Sequence, residues 1–215
     1  IMITAQGTIT TAFEATKKLL DDSVNRDQID LLILVTQSPD YFLPTSACIL
    51  QERLALSKTC MAFDINLGCS GFVYALSIAG GLIESGAARK GIILCADTYT
   101  KYIAKDDRTC RPIFSDGAAA TLVERNEKDG IGPFVFGTDG SGYDRLIVKG
   151  SGVRELGEVG EHPQGTLEMD GSSIFLFTMT VVPVKILRMS GSTTIAILAA
   201  LNGLLVCPVS VDSCV

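Results

Sequence analysis

The fold is decided by the stretch Met61-Ala-Phe-Asp-Ile-Asn-Leu-Gly-Cys69-Ser-Gly-Phe-Val-Tyr-Ala-Leu76. Its first part, up to Leu67, is a short apolar run of the kind found in buried strands. A Gly-Cys-Ser-Gly turn follows, and a long apolar helical pattern begins directly after it. The stretch therefore predicts that Cys69 lies at the end of a strand and at the start of a helix.

This placement suits a nucleophilic thiol. The N-terminus of a helix carries a partial positive charge and unpaired N–H groups, and both favour a thiolate over a thiol. The same N–H groups can stabilise negative charge on a bound carbonyl oxygen. Gly68 and Gly71 predict a strained turn that lets a substrate approach closely. The alternative is that Cys69 is one more buried cysteine, which behaves as a small hydrophobic residue.

Helices and strands alternate through the first half of the chain with short connections. This pattern predicts a parallel sheet with helices on its faces and functional groups at the carboxyl ends of its strands. Cys69 and the loop at residues 37–44 both fall at such ends. Gly80 and Gly81, inside a helix, predict close packing against another backbone. The predicted helices are 10–22, 45–55 and 70–85, with threonines as candidate caps of the first, and the predicted strands are 29–35, 61–67 and 91–96.

The second half of the chain is richer in turns. A glycine-rich, charged segment at residues 150–165 predicts a surface excursion or a lid. The apolar segment 174–182 predicts a helix that stops at Pro183. Three strands are predicted at 115–124, 132–137 and 145–149, the last two antiparallel because a turn-rich segment separates them, and the tail predicts a helix at 189–201 and a strand at 204–211.

Composition argues against several classes of function. The chain has 215 residues, 47% of them hydrophobic, enough for one large domain or two small ones. No apolar run is long enough to span a bilayer and no signal peptide is visible, so we predict a cytoplasmic protein without a membrane partner. The formal charge of −6, without a Lys/Arg block, argues against nucleic acid as a partner. Seven cysteines without a CxxC pair and a single histidine predict reduced, buried cysteines and no metal site.

Four segments, in the same order along the chain, resemble segments of the 3-oxoacyl-acyl-carrier-protein synthase III family of the thiolase superfamily. Residues 64–76 resemble its nucleophile segment. Residues 37–51 look like its dimer-interface loop and helix. Residues 113–120, Ile-Phe-Ser-Asp-Gly-Ala-Ala-Ala, are similar to its Phe-Gly-Asp-Gly-Ala-Gly-Ala segment, and residues 166–177 to the Met-x-Gly-x-x-x-Phe segment that starts its second half.

The resemblance implies an α/β protein with the thiolase-like five-layered αβαβα fold of two similar halves. Residues 1–150 would be the N-terminal half, and residues 151–215 part of a C-terminal half that is incomplete in this sequence. It further implies a homodimer that takes an acyl group from acyl-CoA onto Cys69 as a thioester. Condensation with malonyl-acyl carrier protein, with loss of carbon dioxide, would follow. Acyl-CoA is the substrate in this scheme, and no separate cofactor is expected.

The resemblance also assigns roles to individual residues. The backbone amide of Cys69 and a second amide near Ser210 would form the oxyanion hole. Leu43 would sit where the family's loop reaches the acyl pocket of the partner subunit, although an ordinary apolar interface residue is the plain alternative. Arg108 matches an arginine that helps bind the adenine end of CoA, against the alternative of a solvated loop arginine. Asp116 is better explained as a structural residue in a turn.

The family's catalytic His and Asn, which come from the second half, have no match in this sequence. His162 lies in the lid-like segment and is interpreted as a surface residue, and Met189 stands at the position expected for the Asn. Two other functions stay open. A Cys-type α/β-hydrolase or thioesterase would want a small residue at Leu67 and a downstream His. A non-catalytic synthase-like partner subunit would be expected to lose the cysteine.

Overall fold

The computed structural model describes residues 7–20, 24–126, 131, 134–153, 165–188 and 196–197. Within these ranges the helices are α1 (Thr8–Leu19), α2 (Ser46–Arg53), α3 (Gly71–Glu84) and α4 (Gly171–Arg188), and the strands are β1 (Leu31–Val35), β2 (Met61–Ile65), β3 (Lys90–Thr98), β4 (Asp116–Glu124), β5 (Phe134–Val135), β6 (Leu146–Val148), β7 (Leu167–Met169) and β8 (Ala196–Ile197).

A four-stranded sheet with the order β2-β1-β3-β4 forms the centre of the first half. β1 pairs in parallel with both neighbours, so that Leu31 lies opposite Met61 on one side and Gly91 on the other. β4 closes the sheet as an antiparallel strand along the full length of β3. The predicted β-α-β-α-β order and its parallel sheet are therefore confirmed, with element ends shifted by one to three residues.

Helices cover both faces of this sheet. α1 and α2 pack against one face, where Leu32, Leu34 and Ile92 belong to the same hydrophobic cluster. α3 packs against the opposite face with Leu31 and Ile33. All five residues of β1 are buried, as expected when both faces of a strand are covered. β1 is therefore the centre of the core. Each of its buried aliphatic side chains contributes about 1.5–3 kcal/mol to folding.

The N-termini of α1 and α2 are capped by carboxylates from other elements. Asp40 accepts hydrogen bonds from the N–H groups of Thr8 at 2.7 Å and Ile9 at 3.2 Å. Asp64, on β2, accepts from the N–H groups of Ser46 and Ala47, both at 2.8 Å. The predicted threonine cap of α1 is wrong, because Gly7 occupies the N-cap position and Asp40 supplies the acceptor.

The glycines around α3 differ from their predicted roles. Gly68 and Gly71 are not among the residues with positive φ, so the predicted strained turn is absent here. A Cβ added to Gly71 would lie 2.1 Å from Cγ1 of Val35, so Gly71 serves close packing of α3 against β1 instead. A Cβ added to Gly80 or Gly81 would meet nothing within 4 Å, so the predicted close backbone contact is wrong for these two residues.

The second half pairs its strands over longer distances than predicted. β5 pairs in parallel with β8, and β6 pairs antiparallel with β7, so the predicted hairpin of 132–137 with 145–149 is wrong. The strand at Ala196–Ile197 also contradicts the predicted helix over 189–201. α4 runs on through Pro183 to Arg188, so the predicted stop at Pro183 is wrong. A proline inside a helix removes one hydrogen bond and crowds the preceding turn, which can kink a helix without ending it.

Several predicted features lie outside the described residues, namely most of the 150–165 segment, His162, Met189, Ser210 and the strand at 204–211. None of the helices in the described ranges is long and apolar enough to cross a membrane.

Candidate active site

Cys69 lies in the connection between β2 and α3, at the carboxyl edge of the central sheet. The N–H of Gly71 donates to the carbonyl of Gly68 at 2.8 Å, which closes a tight turn around the cysteine. Ser70 occupies the N-cap position of α3, and its side chain makes no capping hydrogen bond. Cys69 itself is exposed, which contradicts the alternative of a buried structural cysteine. The helix N-terminus next to its thiol is the anion-stabilising position that the sequence predicts.

A cavity of about 320 Å³ opens beside Cys69. It forms where the carboxyl ends of β1, β2 and β3 meet the start of α3, as expected for a site in a parallel sheet. Its lining is mainly apolar and aromatic, with one carboxylate. The lining residues are Val35, Gly68, Cys69, Phe72, Cys95, Ala96, Asp97, Tyr99, Phe114, Ser115, Gly117 and Leu146.

Three lining residues share a wall because their side chains alternate along and just beyond β3. Cys95, Asp97 and Tyr99 are separated by two positions each, and all three border the cavity. The carboxylate of Asp97 is held by its Oδ1 atom. That oxygen accepts hydrogen bonds from Thr36 Oγ1 at 3.0 Å, the N–H of Gln37 at 2.8 Å, and both the N–H and the Oγ of Ser38 at 3.1 and 2.9 Å. Asp97 therefore ties the end of β3 to the loop after β1.

Burial is the largest cause of the shifted pKa values of the three residues in this wall. Burial raises the pKa of Asp97, although the hydrogen bonds to its carboxylate lower it in part. Burial and then the charge of Asp97 raise the pKa of the Cys95 thiol to about 11. The pKa of Tyr99 is raised by burial, and further by the charges of Asp97 and Cys69. Cys95 and Tyr99 therefore keep their protons at neutral pH.

Aromatic contacts fix the ring of Tyr99 beside the cavity. The rings of Tyr99 and Phe114 stack with centroids 5.3 Å apart and an interplanar angle of 27°. Tyr102 meets Tyr99 edge-on at 6.3 Å, but it does not line this cavity. The Tyr99 hydroxyl donates a hydrogen bond to Oε1 of Gln37. Aromatic neighbours thus hold the ring of Tyr99, and Gln37, on the loop after β1, holds its hydroxyl.

Leu43, Arg108 and Asp116 are not among the residues that line this cavity. Leu43 is 87% exposed, next to Phe42 at 79% and Tyr41 at 58%, on the loop before α2. Arg108 is exposed on the loop between β3 and β4 and does not line the cavity. Asp116 accepts from the N–H and Oγ1 of Thr100 at 2.9 and 2.8 Å, which agrees with the structural role predicted for it.

The sequence reasoning missed Asp97, Tyr99 and Phe114 as lining residues. The signal for the first two was available, since they follow an aliphatic strand at alternate positions and parallel strands end at one edge of a sheet. The prediction that most of the cysteines are buried is wrong for those in the described ranges. Cys48 and Cys69 are exposed, and of the five cysteines in the described ranges only Cys110 is buried. All five are free thiols, as predicted.

Comparison with known proteins identifies the family. Residues 63–140 match the family described as 3-oxoacyl-[acyl-carrier-protein] synthase III. The β-ketoacyl-[acyl-carrier-protein] synthase III of Clostridium perfringens is 38% identical over 180 residues, which are 82% of this chain and 55% of that protein. The chain thus spans about half the length of the curated relatives it matches.

Solved structures agree with this result. A 3-oxoacyl-(acyl-carrier-protein) synthase III structure superposes with a TM-score of 0.80 at 43% identity, over 86% of this chain and 59% of that one. The priming β-ketosynthase of the R1128 polyketide biosynthetic pathway superposes with a TM-score of 0.74 at 28% identity, over 84% of this chain and 54% of that one. The fold is the thiolase-like α/β fold that the resemblance implied, and the chain belongs to the 3-oxoacyl-acyl-carrier-protein synthase III family.

Proposed function

We propose that the chain is an acyltransferase of the condensing type, with Cys69 as the residue that accepts the acyl group from acyl-CoA. The observation that carries this proposal is the position of Cys69. Its thiol is exposed at the N-terminus of a 14-residue helix and borders a mainly apolar cavity of about 320 Å³. An acyl chain needs such a cavity, and its thioester carbonyl needs a nucleophile at the mouth.

The first step is transfer of the acyl group. The Cys69 sulfur attacks the carbonyl carbon of acyl-CoA, the bond from that carbon to the CoA sulfur breaks, and CoA leaves as its thiol with the proton from Cys69. Negative charge develops on the carbonyl oxygen during the attack. The partial positive charge at the start of α3 stabilises it, and the backbone amide of Cys69 is the first donor of the proposed oxyanion hole. Ser210 is proposed to supply the second amide.

The second step is condensation with malonyl-acyl carrier protein. The malonyl group loses carbon dioxide, and the resulting enolate carbon attacks the thioester carbon on Cys69. The carbon–sulfur bond to Cys69 then breaks, which leaves a 3-oxoacyl group on the carrier protein. Cys69 is released as the thiolate and takes up a proton from water, which returns the thiol. The chemistry is complete with acyl-CoA and malonyl-acyl carrier protein as substrates, so no separate cofactor is part of the proposal.

The proposed assembly is a homodimer. β2 is an edge strand of the central sheet, and an edge strand presents unpaired backbone groups to another chain. The loop with Tyr41, Phe42 and Leu43 carries a run of exposed apolar side chains, the kind of surface that a second subunit covers. In such a dimer Leu43 would border the acyl pocket of the partner subunit, and residues 1–150 would form the N-terminal half of each subunit.

The proposal also includes a residue that contacts CoA and a cellular compartment. Arg108 is proposed to help bind the adenine end of CoA, and its exposure on the loop after β3 supports this role. The cytoplasm is the proposed compartment, because the acyl donor and the free thiols both belong there. The same chemistry serves fatty-acid initiation and polyketide priming, and the likeness to the R1128 synthase supports both uses.

The test follows the acyl group through both steps by mass spectrometry of the intact protein. Incubation with acetyl-CoA should add one acetyl group to the wild type, and later addition of malonyl-acyl carrier protein should remove it with formation of a 3-oxoacyl carrier protein. C69A should gain no acetyl group. C48A is the matched control, since Cys48 is also exposed, and it should behave as the wild type.

The alternatives give different results in the same experiment. A hydrolase or thioesterase would release free acetate without malonyl-acyl carrier protein. A non-catalytic partner subunit would gain no acetyl group with any acyl-CoA. An acetyl group that persists after malonyl-acyl carrier protein is added would contradict the condensing step and leave acyl transfer alone.

A further inference from the structure

Tyr99 forms a wall of the cavity beside Cys69. Its ring borders the same cavity as the thiol and stacks on Phe114, which also lines it, with centroids 5.3 Å apart. Tyr99 is the largest side chain in the lining, and Phe114 is one of the two phenylalanines in it. They therefore limit how far a chain attached to Cys69 can extend into the cavity.

The position of the Tyr99 ring is fixed by contacts on several sides. The hydroxyl donates to Oε1 of Gln37, and Tyr102 packs edge-on against the ring at 6.3 Å. Gln37 is itself fixed, because its N–H donates to Oδ1 of Asp97 at 2.8 Å. Swinging the ring aside would break the hydroxyl hydrogen bond inside a half-buried aromatic cluster and leave polar groups there without a partner.

We infer that Tyr99 is a specificity-determining residue that restricts the acyl group on Cys69 to short chains, with Gln37 and Asp97 as its positioning residues. This inference rests on the proposed function, because it concerns the acyl group that Cys69 accepts. The ring, and not the hydroxyl, is the part that restricts length. The hydroxyl is engaged by Gln37 and serves to keep the ring in place.

The test is a competition between acetyl-CoA and octanoyl-CoA for Cys69, measured as the ratio of the two adducts on the intact protein. The wild type should carry mainly the acetyl group. Y99L replaces the ring by a smaller side chain and should shift the ratio towards octanoyl by roughly tenfold or more, since each methylene that leaves water changes a binding equilibrium about fourfold. Y99F keeps the ring but loses the hydrogen bond to Gln37, so its shift should be smaller than that of Y99L.

Y102L is the matched control, because Tyr102 belongs to the same aromatic cluster but does not line this cavity. It should shift the ratio less than Y99L does, because the ring of Tyr99 itself remains in the cavity. The unfolding temperature of each variant reports whether it is folded. An unchanged ratio in Y99L, an equal shift in Y102L, or a Y99F shift as large as that of Y99L would each overturn the inference. Those results still require an adduct on Cys69, so they leave the proposed function standing. A wild type that gains no adduct from either acyl-CoA overturns the proposed function and the inference together.

Discussion

Two cysteines border the same cavity, and their surroundings give them different roles. Cys69 is exposed at the start of α3, beside the positive end of the helix dipole. Cys95 lies on the sheet beneath, where burial and the nearby charge of Asp97 raise its pKa to about 11. A thiol is a nucleophile only as the thiolate, so Cys95 is inert near neutral pH.

Asp97 gives a residue-scale prediction about stability and pH. Burial raises its pKa in the folded chain, so the folded state holds a proton in a pH range where the unfolded chain has lost it. The unfolding free energy of the wild type should therefore fall as pH rises from the ordinary Asp pKa of about 3.9 towards the raised value. D97N cannot ionise, and it keeps an oxygen that accepts the same hydrogen bonds. The unfolding free energy of D97N minus that of the wild type should then increase between pH 4 and pH 7, as measured by urea denaturation.

D139N is the matched control for this measurement and should show the opposite sign. Hydrogen bonds from the Oγ and N–H of Ser141, at 2.7 and 2.9 Å, lower the pKa of Asp139, so its carboxylate adds stability as pH rises. The advantage of the wild type over D139N should grow as pH rises from the lowered pKa of Asp139 through the ordinary Asp value of about 3.9, and it should be level by about pH 5 to 7. Parallel stability curves for wild type and D97N would contradict the titration assigned to Asp97.

At the scale of the elements, the contact between α3 and β1 sets where Cys69 lies. Gly71 is the first residue of α3, and a Cβ there would come within 2.1 Å of Cγ1 of Val35. Val35 is the last residue of β1 and lines the cavity. Helix and strand can therefore approach this closely only because residue 71 has no side chain, and the approach brings the N-terminus of α3 to the cavity.

G71A should destabilise the protein by about 1–3 kcal/mol, because the added methyl overpacks the core at Val35. G80A is the matched control on the same helix, where a Cβ meets nothing within 4 Å, and it should be neutral or stabilising by about 0.5–1 kcal/mol. The double variant G71A/V35A should recover part of the loss, since removal of the Val35 methyls makes room. Equal effects of G71A and G80A in chemical denaturation would contradict this packing.

At the scale of the whole molecule, local patterns predicted the first half well. The aliphatic run ending at Val35 predicts a strand buried on both faces, and the Gly-Cys-Ser-Gly turn predicts the start of α3. Both predictions hold because hydrophobic periodicity and turn residues act over a few positions. The position of Cys69 at the carboxyl edge of the sheet follows from these elements and from the rules of parallel sheets alone.

The features that the sequence did not predict depend on contacts between distant residues. Asp40 caps a helix that begins 32 residues earlier, and no local rule identifies such a partner. β5 pairs with β8, so that Phe134 lies opposite Ala196, far along the chain. The wall formed by Tyr99 and Phe114 depends on a stacking contact between two segments, so neither segment predicts it alone.

The central claim is that Cys69, among the seven cysteines of the chain, is the one that accepts the acyl group. The most direct test is acylation with acetyl-CoA followed by proteolysis and tandem mass spectrometry, which assigns the acetyl group to a single residue. The account predicts that the group lies on Cys69 in the wild type and that no other cysteine takes it in C69S. Acetylation mapped to any other cysteine, or retained undiminished in C69S, would contradict the account.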